Sequence, residues 1–174
     1  KTSTLNEKNT GSLVQIKSRT KINKDHNMKK LKSLIKTFEA TTRPADSDSI
    51  QTLEHKLGFP LSEEYKGFLS DFGLISFESE ETYGLGVPDN YYLNVHSIYT
   101  DLSRDTSYPP ETVPLLEIGD GQYYLYDNKA QRVLLWSTPN GGVVRTLDEH
   151  LEPFLIEKIF GNRGAPDPRS ATNS

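Results

Sequence analysis

Hydrophobic and polar positions along this chain change their period once, at Gly73. Before it the repeat is helical. Ile50, Leu53 and Leu57 recur on one face, Asp48 and Gln51 have capping-box spacing at its start, and Gly58-Phe59-Pro60 ends it. Tyr65, Phe68, Leu69 and Phe72 then fall at i, i+3, i+4 and i+7, which predicts an amphipathic helix starting near Ser62. Glu63 and Glu64 suit its first turn, and Gly73 stands where a left-handed C-cap belongs.

After Gly73 the period is two. Leu74–Phe77, Glu81–Leu85, Tyr92–Ile98, Val113–Ile118, Gln122–Tyr126, Arg132–Trp136 and Val143–Arg145 are β-branched or aromatic runs between turn residues, and each predicts a strand. Gly119-Asp120-Gly121, Asp127-Asn128 and Asn140-Gly141-Gly142 are tight-turn signals that fold the last four runs into an antiparallel meander. Thr146 and Glu149 again have capping-box spacing, and Pro153 bars a helix centred on it. A turn over 147–151 and a closing helix from Glu152 to Phe160 are therefore expected. This order of elements predicts an α+β fold, with two N-terminal helices and a C-terminal helix packed on a mainly antiparallel sheet.

Charge divides the chain differently. Residues 1–36 carry ten Lys/Arg against Glu7 and Asp25, whereas 37–174 carry ten against twenty-two acids, so the net charge of −4 conceals a basic extension and an acidic body. All seventeen aromatic residues lie between Phe38 and Phe160. Large rings dominate core burial, which places one folded domain at 37–161 in a chain of 174 residues. Residues 162–174 have the polar, proline-containing composition of a disordered tail. Met28 opens Met-Lys-Lys-Leu-Lys-Ser-Leu-Ile, which reads as a natural start, so the stretch before it is expected to be non-native or disordered, although Leu13–Lys17 alternates like a strand.

Several function classes find no support. The absence of cysteine removes a disulfide framework, thiolate metal sites and a cysteine nucleophile together. The apolar run Val133-Leu134-Leu135-Trp136 is far shorter than the ~20 residues of a spanning helix, and no apolar leader is present, so a cytoplasmic location is expected. His26, His55, His96 and His150 are scattered without metal-ligand spacing. Gly84-Leu85-Gly86 lacks the third glycine and following helix of a dinucleotide fingerprint and reads as a strand-end kink. No phosphate loop or nucleophile elbow occurs, and no carboxylate pair is singled out. No catalytic residue, metal or cofactor is expected.

Two features remain. Glu78-Ser79-Glu80-Glu81, with Asp89 beyond it, gathers acids near a predicted strand pair, where solvated charge also discourages edge pairing. Tyr83, Tyr91, Tyr92, Tyr99 and Tyr108 fall within one 26-residue stretch. Tyrosine is favoured at contact surfaces, and tyrosine with carboxylate suits the gripping of a basic protein.

Leu57-Gly58-Phe59-Pro60-Leu61-Ser62-Glu63-Glu64-Tyr65-Lys66-Gly67-Phe68-Leu69 resembles the leucine-proline, tyrosine-lysine, leucine signature near the start of SUKH superfamily domains. Phe72-Gly73, Ile75-Ser76-Phe77 and Thr82-Tyr83-Gly84-Leu85-Gly86 are similar to the turn and first strands that follow there. Val113–Asp127 resembles the family's most recognisable hairpin, Val133–Trp136 its next strand and Leu147–Ile159 its closing helix. The resemblance spans most of 48–161. Ser62, where the family often has proline or an acid, and Pro153, within the last helix, depart from it.

The resemblance implies a twisted, mainly antiparallel sheet with helices beside it. Many bacterial members are immunity proteins that neutralise a cognate polymorphic toxin, frequently a nuclease; others have regulatory or cell-wall-associated roles. The expectation is thus a toxin-binding immunity protein without a small-molecule substrate or membrane partner. Glu78, Glu80, Glu81 and Asp89 would supply charge, and Tyr83, Tyr91 and Tyr92 the anchors. A basic nuclease groove suits such carboxylates, and an exosite on the toxin suits them equally. The alternative is a regulatory module whose basic stretch 1–36 binds nucleic acid or another anionic partner.

Overall fold

A computed structural model describes residues 27–164; the expectations placed on 1–26 and on 165–174 lie outside the described residues. The first helix, α1 (Lys29–Phe38), carries Leu31, Leu34, Ile35 and Phe38 at i, i+3, i+4 and i+7. Leu31 and the preceding Met28 are buried in the main core. Residues 28–36, which charge alone groups with the basic flank, thus belong to the packed body.

The short strand β1 (Thr41–Thr42) leads to α2 (Ser47–Leu57) and α3 (Glu63–Asp71). The cap of α2 is Asp46, whose Oδ1 accepts a 2.7 Å hydrogen bond from the Ser49 N–H; Asp48 stands in the first turn instead of at the cap. Gly58 ends α2 in the left-handed conformation. Ser62 caps α3 through the Tyr65 N–H, and Gly73 follows with φ 69°.

Strands β2 (Ile75–Phe77) and β3 (Glu80–Glu81) join β1 in a three-stranded antiparallel sheet. The expected strand at Tyr92–Ile98 is instead the approach to a helix, α4 (Val95–Leu102). Asn94, 1% exposed, caps it by accepting from the N–H groups of His96 and Ser97. Its Val95, Ile98, Tyr99 and Leu102 have helical spacing, which the local alternation around Asn94 masks.

The meander forms as expected. Strands β4 (Thr112–Gly119), β5 (Gln122–Asp127), β6 (Arg132–Ser137) and β7 (Gly142–Leu147) pair in sequence order, all antiparallel. Alternation along them feeds two clusters. Leu116, Tyr124 and Leu135, opposite one another in register, enter the main core with the helices. Leu125, Leu134 and Trp136 form a second cluster with Leu102, Tyr108 and Tyr123. The expected single sheet is two, joined by a 2.7 Å bond from the Tyr83 N–H to the Leu115 carbonyl.

Helix α5 (Leu151–Leu155) closes the domain and runs into a π-helical turn, Ile156–Phe160, and a 3₁₀ turn, Gly161–Gly164. Thr146 lies within β7, so the expected capping box does not form. Pro153 is the third residue of α5, in the first turn, where its missing N–H has no intrahelical acceptor to lose.

Candidate protein-interaction site

The residues singled out from sequence are held on two adjoining loops and their flanking elements. Glu80 and Glu81 form β3, with Glu81 opposite Ser76 and Glu80 opposite Phe77. Strand alternation points these neighbours to different sides, so they are not a simple carboxylate pair. Across from them the loop 86–94 is tied down repeatedly. The N–H groups of Tyr91 and Asn94 donate to the carbonyls of Pro88 and Tyr91, and Gly84 N–H donates to Leu93. Ser97 Oγ donates to the Asp89 carbonyl at 2.5 Å.

That loop presents two rings. Tyr91 is 39% and Tyr92 56% exposed, and their centroids lie 4.8 Å apart at 43°. The Tyr92 hydroxyl donates a 2.7 Å hydrogen bond to Glu81 Oε1. The bonded carboxylate pushes the Tyr92 phenol well above its ordinary range.

Glu80, Glu81, Tyr83 and Tyr92 line one cavity of about 430 Å³, together with Ile98 and Glu117. Tyr83 is only 6% exposed, and its ring belongs to the main core. Burial, then the charge of Glu117, pushes its phenol up. Glu117 is the member that sequence reasoning missed. A lone acid in the apolar run Val113–Ile118 was the available signal, but the long-range Tyr83–Leu115 bond between the sheets, which holds that strand near β3, is not encoded in any local pattern.

Glu78 and Asp89 stand apart from this cavity. Glu78, in the β2–β3 turn at φ 54°, accepts a 2.5 Å charge-assisted bond from Arg163 Nη1. The Arg163 guanidinium also lies 5.7 Å from the Phe77 ring centroid. Asp89 lines a second groove of about 540 Å³ on the other side of the loop, with Asp46, Asp48, Lys56 and His96. Its Oδ2 is 3.6 Å from Lys56 Nζ.

Gly84 and Gly86 have a structural task. A Cβ on Gly84 would lie 1.7 Å from the Gly73 carbonyl oxygen, and one on Gly86 1.9 Å from that of Arg43. Backbones meet here too closely for any side chain. Among the described residues, no group of acidic and histidine side chains could hold a metal ion, and no helix is long and apolar enough to cross a membrane.

The family model described as SMI1-KNR4 cell-wall (SUKH_5) matches residues 25–159. The chain therefore belongs to this family, a branch of the SUKH domains, which include immunity proteins. The match begins before α1, in keeping with the burial of Leu31. No curated protein matches the chain.

Proposed function

We propose that this protein is an immunity protein, which binds a cognate toxin protein and blocks it stoichiometrically without chemistry of its own. Family membership over residues 25–159 carries the reading. The site adds physical sense to it. With α1 included, residues 27–164 hold twenty-one acids against thirteen basic residues, and such an acidic excess steers a basic partner to fast encounter at low salt. A nuclease is the best-suited target, because its groove is basic to hold phosphates.

The contact face in this reading centres on Glu80, Glu81, Tyr91 and Tyr92, with Glu78 and Asp89 at either side and Tyr83 supporting it from within. The loop that carries the two exposed rings is already hydrogen-bonded in place, so little ordering entropy opposes binding. Cytoplasmic action follows from the same reading, since the toxin would be met there.

The test is co-expression with the toxin domain encoded beside this gene in its source genome. The expected result is a complex that co-purifies and cells that survive the toxin. Absence of both complex and rescue removes the proposal.

A further inference from the structure

The loop that presents Tyr91 and Tyr92 ends on Asn94, a residue only 1% exposed. Its Oδ1 caps α4 by accepting from the N–H groups of His96 and Ser97 at 3.0 and 3.2 Å, which fixes the amide's other atom as the donor. That donor, Nδ2, meets no acceptor among the described residues. Tyr65 Oη and Glu149 Oε2 are the side-chain polar atoms there that are sealed from solvent without a partner, so Asn94 Nδ2 is left open to it. Asn94 lines the groove of about 540 Å³ between α2 and the loop 86–94, and not the cavity at Tyr92, so Nδ2 opens into that groove. The residue is held in place by its own N–H bond to the Tyr91 carbonyl and by that of Val95 to Gly84. A fixed, nearly buried donor without an acceptor is costly, and whatever fills the groove relieves the cost.

The rest of the lining narrows the occupant. Leu53, Leu85 and Val87 give it apolar surface, and Asp46, Asp48 and Asp89 outnumber Lys56, which lies 3.6 Å from Asp89. Neither Asp46 nor Asp48 is ion-paired among the described residues. The bonds from Ser49 hold the Asp46 carboxyl below its ordinary range, so its charge persists at neutral pH. The occupant must bring a carbonyl acceptor, an aliphatic stem and a positive charge together, and a stretch of polypeptide with a lysine or arginine brings all three. We propose that this groove holds an extended basic segment of the partner protein, with a backbone carbonyl of that segment accepting from Asn94 Nδ2. The inference rests on the immunity reading for the identity of the partner; the buried amide and charge complementarity carry its chemistry.

Acetylated, amidated Gly-Ala-Lys-Ala-Gly and its twin with norleucine for lysine probe the groove of the full chain by amide NMR titration. The lysine peptide should shift resonances of 46–56, 85–89 and 94–96 and bind about threefold tighter than the norleucine twin. Asp48→Asn should remove most of that difference. Asn94→Asp is the decisive variant, because it keeps an oxygen to cap α4 while exchanging the donor for an acceptor and adding a negative charge. A groove that merely attracts cations would then hold the lysine peptide more tightly, whereas loss of the donor should weaken both peptides about fivefold. Asn94→Ser, which also caps but lacks the amide, should weaken both as well and separates the donor from the added charge. Shifts located elsewhere, equal affinity for the two peptides, or undiminished binding by both Asn94 variants would each overturn the inference. Peptide binding here without any toxin complex overturns the immunity reading alone, and toxin neutralisation without peptide binding here overturns the groove alone.

Discussion

Glu64, only 4% exposed, accepts a 3.1 Å hydrogen bond at Oε1 from the Leu151 N–H, 87 residues away. Its other oxygen lies 3.3 Å from His150 Nδ1. One carboxylate on α3 thus caps α5, the helix whose own N-cap residue, His150, makes no side-chain bond to it. Glu64→Leu should lower stability by about 2–3 kcal/mol, because a buried N–H loses a charged acceptor. His150→Ala removes a partner whose side chain is 70% exposed and should cost less than about 1 kcal/mol. Urea unfolding of the two variants checks the order; equal losses would show that the His150 contact, not the cap, matters.

Asp105 acts as a second tie. It accepts from Ser107 N–H and Oγ, from Thr138 Oγ1 at 2.6 Å and from Asn140 N–H at 3.0 Å. These bonds, with Thr138 first, hold its carboxyl well below the usual carboxylate range. A depressed acid contributes fully above its unfolded value of about 3.9 and loses that contribution as pH falls toward the folded value. Stability should therefore decline below pH of about 4, and Asp105→Asn should flatten that acid limb while lowering the melting temperature at pH 7. A wild-type acid limb unchanged in the variant would contradict the assignment.

Gly84→Ala should cost about 3 kcal/mol or more, since its methyl meets the Gly73 carbonyl. Gly58→Ala is the comparison. Its φ is also left-handed, at 78°, but nothing lies within 4 Å of the added carbon, so only about 1 kcal/mol of backbone strain is expected. Denaturant midpoints in the reverse order would refute the close-approach account.

Reversing the charge at Glu80 and Glu81 should slow association with the toxin and reduce its salt dependence, because steering acts mainly on the on-rate. Tyr92→Ala should act on the off-rate instead. Stopped-flow association at several ionic strengths distinguishes the two. Unchanged kinetics in the charge-reversed protein would move the contact face elsewhere.

Much of the fold is legible in the sequence because its signals are local. The α2 and α3 faces, Gly73 as a left-handed cap and the four-strand meander all follow from spacing and turn residues within a few positions. The failures have equally physical causes. Leu31, Leu34, Ile35 and Phe38 have a helical period, yet the lysines between them disguise a core helix as part of a basic flank. Asn94 hides a helix start inside an alternating run. The grouping of the candidate residues was legible only in part. Glu81 and Tyr92 are joined by a hydrogen bond, and Glu80 lines the same cavity, because they are close in sequence and share a loop pair. Glu117 joins them, and Glu78 and Asp89 diverge, through long-range packing that no local pattern encodes.

Titration of the toxin's activity with this protein tests the central claim most directly. Binding without chemistry predicts that toxic activity falls linearly and vanishes at one molar equivalent, with both proteins recovered intact from the complex. Inactivation by a small fraction of an equivalent, with the toxin or its substrate chemically altered, would contradict it.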